Sequence, residues 1–334
     1  MANILFVRLA SELPSPFIDT DLALIRQRHT VKTLDVQVTN LGNGGTAPNK
    51  VALVRELAAG LKWADLAYIW AADLHALGTL ALAKIYGVKT VVAIAGYEAD
   101  PVPRFGYGYP LHPGKRRMVQ AILNHADQIL VPSPYLAQEV RRSFGPTNAP
   151  IAVVPLGFDP AQFTPRGEKA DQVLSVALVQ TTDRAALKGI ETLVAAAPQI
   201  DCDIILAGLG PRVIEALQSR PTENLSLFGP LPQETLIGLY QASTVYAQCS
   251  YTETFGASVA EAMLCGCAPV VREVGNLPLL VGDAGISFAE DPVAAIQAAR
   301  DHPELGERAR ARIASVYPLS ARADRIAAIL EDLI

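Results

Sequence analysis

The sequence predicts an α/β protein made of two Rossmann-like domains, each with a parallel sheet covered by helices on both faces. The chain has 334 residues, 50% of them hydrophobic, and this exceeds the size at which one hydrophobic core usually keeps growing. Short apolar runs alternate with helical patterns along the whole chain, as expected when helices join parallel strands. A polar stretch rich in proline and glycine, Pro160–Gly167, interrupts this alternation and marks the expected domain boundary.

The first half of the sequence predicts six strands that alternate with helices. The predicted strands are Ile4–Val7, Thr33–Val38, Asp65–Trp70, Thr90–Ala95, Gln128–Val131 and Ile151–Val154. The predicted helices are Asp21–Arg28, Lys50–Leu61, Leu77–Tyr86, a basic helix that includes Lys115, Arg116 and Arg117, and Tyr135–Phe144. Glycine and proline are frequent in Leu41–Gly45 and in Gly96–Pro113, so we expect loops there, the second of them long.

The second half repeats the same alternation. Its predicted strands are Val173–Val179, Asp203–Ala207, Leu225–Phe228, Thr244–Ala247, Ala268–Val271 and Ile286–Phe288. The tail Glu304–Ile334 predicts two helices that are interrupted at Tyr317 and Pro318. Because open α/β sheets bind ligands beyond the carboxyl ends of their strands, two such halves predict a ligand in the cleft between them.

Composition and charge argue against several classes of function. The net charge of −5 is unlike that of a general nucleic-acid-binding protein. The four cysteines, Cys202, Cys249, Cys265 and Cys267, lack the spacing of a redox or zinc site and fit a reducing cytoplasm. The five histidines are scattered, so we expect no protein-held metal and no cofactor. The apolar run Ile4–Val7 is too short for a signal peptide, and we therefore expect a cytoplasmic protein.

The most informative motif runs from Glu253 to Glu261, two glutamates that lie eight positions apart. A Phe-Gly pair between them opens a predicted alanine-rich helix, which places the two carboxylates about 12 Å apart along its axis at ~1.5 Å per residue. The N–H groups of Phe255, Gly256 and Ala257 at the helix start carry about half a positive charge and suit a phosphate. Two carboxylates that accept hydroxyl groups on either side of an anion site fit a nucleotide sugar.

Three further loops follow predicted strands and offer groups to the same ligand. Lys188 follows the first strand of the second half, and a fixed lysine stabilises the charge of a leaving diphosphate. Gly208 and Gly210 follow the next strand, but the third glycine of a dinucleotide fingerprint is missing. Phe228 and Gly229 form the loop after that. Each of these loops also fits an ordinary strand-to-helix turn.

The motif from Glu253 to Glu261 resembles the E-x7-E motif of the retaining glycosyltransferases of family 4, which have the GT-B fold. The resemblance continues through shorter matches at Ala262–Met263, Gly266, Pro269–Val271, His125–Ser133, Val154–Asp159 and Lys188–Glu191. The sequence from about Asn3 to Leu333 follows the order of the family pattern. The resemblance implies an acceptor-side domain at 1–160, a nucleotide-sugar donor domain at 161–315 and a C-terminal helix at 316–334 that packs back on the first domain.

The implied activity is metal-independent, retaining transfer of a hexose from a nucleoside-diphosphate sugar to a hydroxyl of a glycan, lipid or small molecule. By resemblance, Glu253 binds the sugar hydroxyls and Glu261 binds the ribose. Lys188 and the helix amides hold the diphosphate, with Arg184 as a candidate beside the position where the family has an arginine. The loops that border the nucleotide contain Gly208, Gly210, Phe228 and Gly229. Leu279 replaces a glutamate that is usual on the sugar side, which leaves the donor sugar open.

The first half departs further from the family pattern. Residues Arg8–Ser11 stand where a glycine pair often follows the first strand, and Ala95–Asp100 stand where a histidine often approaches the reacting sugar. The candidates for binding acceptor hydroxyls are Tyr97, Glu98, Asp100, Asp73 and His75. Capping of a loop or a helix explains the carboxylates and the histidine equally well, so both interpretations stay open.

The basic helix is a candidate for weak peripheral contact with the inner face of a membrane. Lys115, Arg116 and Arg117 precede apolar residues, and such helices lie on anionic membranes in some lipid-modifying relatives. A solvated helix face explains the same pattern, because three charges supply only ~3 kcal/mol near a charged bilayer.

Two other functions also fit the sequence. A GT-B sugar-nucleotide 2-epimerase would need acid and base groups around the sugar, and five scattered histidines do not readily provide them. A catalytically inactive nucleotide-sugar binding protein is compatible with the unusual first half. Release of nucleoside diphosphate distinguishes an enzyme from a binding protein.

Overall fold

The computed structural model describes residues 1–10, 16–37, 50–218 and 223–334, which form two compact units. Unit 1 comprises residues 1–156 and 320–334, and unit 2 comprises residues 157–319. The predicted loop Leu41–Gly45, together with Ser11 and Val38, lies outside the described residues. Each unit contains a six-stranded sheet whose described strand pairs are all parallel, so the two predicted parallel sheets are confirmed.

The strands of unit 1 are β1 (Asn3–Ala10), β2 (Thr30–Gln37), β3 (Leu66–Trp70), β4 (Lys89–Ala93), β5 (Gln128–Val131) and β6 (Ile151–Val153). Between them lie the helices α1 (Pro16–Arg26), α2 (Lys50–Trp63), α3 (Leu74–Tyr86), α4 (Pro113–His125) and α5 (Pro134–Phe144). The strand order is β2-β1-β3-β4-β5-β6. All five residues of β3 are buried, which accounts for its uninterrupted apolar sequence.

The segment Gly96–Pro113, predicted as a long loop, is folded into short turns. Two turns of 3₁₀-helix, Pro103–Phe105 and Tyr109–Leu111, flank an antiparallel bridge between Val102 and Tyr107. Gly108 has a φ of 104°, and a Cβ atom there would lie 2.6 Å from the carbonyl oxygen of Asp100. A glycine is therefore required where the segment folds back on itself.

The strands of unit 2 are β7 (Ala170–Val179), β8 (Asp203–Leu209), β9 (Leu225–Leu227), β10 (Ser243–Gln248), β11 (Ala268–Arg272) and β12 (Ile286–Phe288). Its helices are α6 (Thr182–Leu187), α7 (Ile190–Ala196), α8 (Pro211–Gln218), α9 (Gln233–Ala242), α10 (Ala257–Leu264), α11 (Leu277–Val281), α12 (Val293–Asp301) and α13 (Glu304–Val316). The strand order is β12-β11-β10-β7-β8-β9.

The last helix, α14 (Leu319–Leu333), belongs to unit 1 from Ser320 onward. Arg322 on this helix donates hydrogen bonds to both oxygens of Asp21, at 2.6 and 2.8 Å, and both side chains are buried. Asp21 also accepts hydrogen bonds from Tyr68 and Trp70 at 2.8 and 3.0 Å. This buried ion pair anchors the last helix on unit 1.

The chain enters and leaves unit 2 through two segments that lie side by side. Phe158 donates a hydrogen bond to the carbonyl of Tyr317 at 3.0 Å, and Leu319 donates one to the carbonyl of Phe158 at 2.9 Å. The units therefore divide at Leu156–Gly157 and Leu319–Ser320, whereas the sequence predicted divisions after residues 160 and 315. Among the helices of the described segments, none has the length and apolar character needed to cross a bilayer.

Candidate functional site

The residues predicted to bind a donor follow neighbouring strands of unit 2. The chain proceeds from β7 through β8 to β9 on one side of the sheet and from β10 through β11 to β12 on the other. The strand order therefore reverses between β7 and β10, and open α/β sheets bind ligands beyond the carboxyl ends of strands at such a point. Lys188 follows β7 and Glu253 follows β10, so the fold brings both to this point.

Lys188 and Glu253 are 65 positions apart in sequence and form an ion pair in which Nζ lies 2.5 Å from Oε1. The same carboxylate oxygen accepts hydrogen bonds from Gln248 Nε2 and Ser250 Oγ, each at 3.1 Å. Three side-chain donors thus converge on Oε1. These donors fix the orientation of the Glu253 carboxylate.

The turn after Lys188 brings it against the end of β10. Gly189 has a φ of 67°, and a Cβ atom at this position would overlap the carbonyl group of Cys249. Tyr251 donates a backbone hydrogen bond to Leu187 at 2.9 Å. Glycine is therefore required after the lysine, because two stretches of backbone touch there.

The start of α10 offers backbone amides without a side-chain cap. The helix begins at Ala257 after Gly256, whose φ is 98° and whose Cβ, if present, would lie 2.8 Å from the side chain of Leu277. Phe255 is buried with its ring 6.0 Å from that of Phe158, so its side chain belongs to the core. The residues at this helix start therefore present main-chain groups, and an uncapped helix start favours an anion.

Glu261 lies on the second turn of α10 and is partly buried. The hydroxyl of Tyr240 donates a hydrogen bond to its Oε2 atom at 3.1 Å. Burial raises the pKa of Glu261 to about 7, and the hydrogen bond from Tyr240 acts in the opposite direction. The carboxylate therefore changes its charge near neutral pH.

The loops after β8 and β9 run side by side. The N–H group of Gly208 donates to the carbonyl of Gly229 at 3.2 Å. A Cβ atom at Gly208 would lie 2.6 Å from the carbonyl oxygen of Ala177, and one at Gly210 would lie 2.9 Å from the backbone of the residue after β7. Phe228 leaves 40% of its surface exposed, an unusual state for a large apolar ring that suits stacking on a flat ligand.

Arg184 lies on the short helix α6, one turn before Lys188, whose backbone N–H donates to the Arg184 carbonyl at 3.0 Å. Its side chain is exposed. The structure thus brings Lys188 and Glu253 together and leaves Arg184 on the adjoining surface.

Sequence reasoning missed the buried polar side chains that support this site. Gln248 and Ser250 are 2% and 0% exposed, and the hydroxyl of Tyr246 lies 2.9 Å from Ser258 Oγ and 3.0 Å from Gln248 Oε1. Tyr240 is likewise fully buried. The available signal was the presence of polar residues in an otherwise apolar strand, because buried polar groups require partners.

A second polar cluster lies in unit 1 at the start of α3. Asp73 caps the helix by accepting a hydrogen bond from the N–H of Leu74 at 2.7 Å, and it also accepts one from the hydroxyl of Tyr109. Lys115 Nζ lies 3.2 Å from Asp73 Oδ1 and 4.6 Å from the centre of the Tyr109 ring. Tyr97 packs edge-on against Tyr109 at 4.9 Å. Burial alone would raise the pKa of Asp73, but these hydrogen bonds lower it, so the group stays ionised.

Glu98 and Asp100 have structural contacts in place of the acceptor contacts that we expected. Glu98 is fully buried, which raises its pKa, and its carboxylate accepts hydrogen bonds from three backbone N–H groups at 2.8 to 3.4 Å. Asp100 is 2% exposed and accepts a hydrogen bond from the hydroxyl of Tyr135 at 2.8 Å. Both side chains are buried, so the structure favours the capping interpretation of the two that the sequence left open.

His75 is also buried and fits the capping interpretation. Its Nε2 atom donates to the carbonyl of Trp70 at 2.8 Å, while Nδ1 is buried without a partner among the described residues. Burial lowers the pKa of His75, so the ring is neutral at pH 7. Across residues 1–10, 16–37, 50–218 and 223–334, no group of three or more histidine, cysteine, aspartate and glutamate side chains is arranged to hold a metal ion.

Two basic side chains of helix α4 make contacts within unit 1. Lys115 contacts Asp73, and the guanidinium of Arg116 donates to the carbonyl of Ser143 at 3.0 and 3.3 Å. Arg117 is exposed. Two of the three cations predicted to face a membrane therefore serve internal contacts, which weakens the case for a membrane surface there.

Two family models match the chain in its two halves. Residues 15–162 match the model described as Glycosyltransferase Family 4, and residues 175–302 match the model described as Glycosyl transferases group 1. A D-inositol 3-phosphate glycosyltransferase of Corynebacterium jeikeium (strain K411) is 30% identical over 203 residues, which cover 52% of this chain and 48% of that protein. The enzyme of the same name from Mycolicibacterium vanbaalenii is 30% identical over 249 residues, 66% of this chain and 51% of the other. The matches thus span about half the length of these relatives.

Solved structures share the fold at low sequence identity. Anabaena HepE in complex with UDP has a TM-score of 0.80 and 17% identity, with 99% of this chain and 100% of that chain covered. Sucrose-phosphate synthase from Thermosynechococcus elongatus has a TM-score of 0.78 and 18% identity, with 100% and 99% covered. The predicted GT-B fold is confirmed by these likenesses.

Proposed function

Because this chain belongs to the family 4 glycosyltransferases, we propose that it transfers a hexose from a nucleoside-diphosphate sugar to an acceptor hydroxyl with retention of configuration. The observation that carries the proposal is the ion pair between Lys188 and Glu253, four residues before the uncapped helix that starts at Ala257. One cation, one carboxylate and a set of backbone amides in one loop cluster are the groups that a sugar diphosphate requires.

In this proposal the groups of unit 2 bind different parts of the donor. Lys188 and the amides of Gly256 and Ala257 bind the diphosphate, and Lys188 stabilises the charge that develops as the diphosphate leaves. Glu253 accepts a hydroxyl of the sugar through Oε2, and Glu261 accepts the ribose hydroxyls. The bond from the anomeric carbon to the phosphate oxygen breaks while the bond to the acceptor oxygen forms on the same face, and the leaving oxygen takes the acceptor proton. No protein nucleophile is required.

The donor to test first is UDP-glucose. The Anabaena protein has been crystallised with UDP, with UDP and glucose, and with UDP-glucose. Phe228 offers an exposed aromatic face for a base such as uracil. Leu279, which is 51% exposed, stands where the family has a sugar-binding glutamate, so other hexoses belong in the same screen.

The acceptor groups of this proposal are Asp73, Tyr109 and Lys115 in unit 1, which replace Glu98 and Asp100 as candidates. The carboxylate of Asp73 and the ammonium of Lys115 lie 3.2 Å apart and neutralise each other. Such a cluster favours a neutral hydroxyl over a second anion. Because the relatives are named for D-inositol 3-phosphate, inositol and its 3-phosphate are the first acceptors to compare.

The decisive experiment has a binding step and a transfer step. A thermal-shift screen of sugar nucleotides identifies the donor, since a ligand at 100 times its dissociation constant adds about 2.7 kcal/mol of stability. Transfer is then followed by release of nucleoside diphosphate, with the anomeric coupling of the product measured by NMR. An α-linked donor should give an α-linked product. Stabilisation by a sugar nucleotide without turnover on any acceptor would identify a binding protein, and a donor converted to its 2-epimer without acceptor would identify an epimerase.

A further inference from the structure

Tyr240 is a buried residue near the end of α9 that the proposed chemistry does not use. Its side chain is fully buried, and its ring lies 5.9 Å from that of Tyr246. Its backbone carbonyl accepts hydrogen bonds from Lys169 Nζ at 3.2 Å and from Cys267 Sγ at 3.0 Å. Both ends of the residue are therefore fixed, and the position of the phenol is set by the core of unit 2.

The hydroxyl of this fixed ring reaches Glu261. It lies 3.1 Å from Oε2, and it supplies the side-chain hydrogen bond that Glu261 receives within the described part of the chain. On the same face of α10, the hydroxyl of Ser258, three positions earlier, is bonded to Tyr246. The rotamer of this carboxylate therefore depends on a single donor, which leaves Oε1 for a ligand.

We propose that Tyr240 is the positioning residue that aims the carboxylate of Glu261 at the ribose hydroxyls of the donor nucleotide. The proposal rests on the proposed function, because it requires a nucleotide in this site. Tyr240 itself touches no ligand, since its hydroxyl is occupied by Glu261 and its ring is enclosed. Its contribution is to hold one oxygen of the carboxylate so that the other is already in place when the nucleotide arrives.

The same hydrogen bond affects when Glu261 is charged. Burial raises the pKa of Glu261 to about 7, and the bond from Tyr240 favours the charged form and so lowers it. Tyr246 on β10 and Cys265 after α10 are the other titratable groups whose charge would interact with Glu261, and burial raises the pKa of both, so both are neutral at pH 7. Removal of the Tyr240 hydroxyl should therefore raise the pKa of Glu261 further.

The affinity for the nucleotide should decrease at low pH. The ribose hydroxyls donate to the ionised carboxylate, so nucleotide affinity is full above the pKa of Glu261 and falls as the pH drops through about 7. In Tyr240→Phe the fall should begin at a higher pH. A role limited to filling space would change the affinity without moving this midpoint.

The experiment compares UDP with its 2′,3′-dideoxy analogue by calorimetry between pH 5.5 and 9 in the intact chain. The wild-type protein should prefer UDP by about tenfold or more at pH 8, because the preference comes from hydrogen bonds to a charged group. Tyr240→Phe should lose most of that preference and shift its midpoint to higher pH. Tyr246→Phe removes a hydroxyl that bonds to Ser258 and Gln248 and not to Glu261, so whatever it does to the affinity, it should leave the midpoint unmoved.

The variant Glu261→Gln distinguishes a failure of the ribose-binding role of Glu261 from a failure of the positioning role of Tyr240. If this variant keeps the wild-type preference for UDP, Glu261 is not the ribose ligand and the site assignment in the proposed function fails. If Glu261→Gln loses the preference while Tyr240→Phe keeps it with an unmoved midpoint, the positioning role of Tyr240 is overturned. Thermal melting checks that each variant is folded, and Tyr240→Met, which also lacks the hydroxyl, replaces Tyr240→Phe if the latter does not fold.

Discussion

Replacement of Asp21 by alanine should destabilise unit 1 by about 3–5 kcal/mol, the cost of breaking a buried ion pair by removing one partner. Asp21 is fully buried and accepts two hydrogen bonds from Arg322 and one each from Tyr68 and Trp70. Alanine would leave the guanidinium of Arg322, which is 5% exposed, without a counter-charge. The two carbonyl groups that Arg322 also contacts cannot replace the lost charge.

A matched control is present on the same helix. Asp324 forms an ion pair with Arg28 at 3.4 Å, but these side chains are 73% and 50% exposed. Asp324→Ala should cost about 0–1 kcal/mol, because water and salt screen such a pair. Both contacts join α14 to the N-terminal part of unit 1, so the comparison isolates the effect of burial.

Urea unfolding followed by tryptophan fluorescence reports on unit 1, because Trp63 and Trp70 are the two tryptophans of the chain and both belong to it. Asp21→Ala should lower the midpoint well below that of Asp324→Ala. The double variant Asp21→Leu with Arg322→Met should recover only part of the loss, because it removes both charges but leaves the buried donors of Tyr68 and Trp70 without an acceptor. Equal midpoints for the two single alanine variants would refute the reasoning.

Four further predictions concern the proposed donor site. Lys188→Ala should lower turnover by on the order of 10²–10³ while the melting temperature stays close to that of the wild type, as for loss of one preorganised charge stabiliser; full turnover would make the lysine an ordinary surface charge. Arg184→Ala, measured in the same assay, should have a smaller effect, because its side chain is exposed and water screens its charge. Gly189→Ala should lower both stability and turnover, because the added Cβ overlaps the Cys249 carbonyl, and wild-type kinetics for this variant would contradict the required turn. Activity in EDTA should equal activity without it, and strict dependence on a divalent ion would overturn the proposed phosphate site.

The sequence predicted where the strands and helices lie along the chain better than it predicted which of them lie next to each other. Alternating apolar runs located the strands because burial on both faces of a parallel sheet demands uninterrupted apolar residues. The contact between Lys188 and Glu253 depends on β7 lying beside β10, and local pattern does not encode strand order. Resemblance to a family supplied that link, while the residues that hold the carboxylate, Gln248 and Ser250, were not recognised because each is unremarkable alone.

The interpretations that the sequence left open in unit 1 have a common physical cause. Glu98 follows a strand end, as an acceptor ligand would, but its carboxylate is used by the backbone N–H groups of its own loop. Lys115 is part of a charged run that predicts a solvated face, but the folding of Gly96–Pro113 places Tyr109 beneath it. Loop geometry decides whether a polar group finds its hydrogen-bond partners within the same chain. Residue types and spacing do not specify that geometry.

Unit 2 is a continuous stretch of chain whose two ends lie together at Phe158 and Tyr317–Leu319. One uninterrupted stretch, residues 157–319, is inserted into unit 1, and its two ends are hydrogen-bonded to each other. An insertion whose ends already lie together can be exchanged without reshaping its host. Replacement of this stretch by the matching stretch of a relative requires only two junctions, so unit 2 is exchangeable by recombination at these two sites while the sequence of unit 1 stays unchanged.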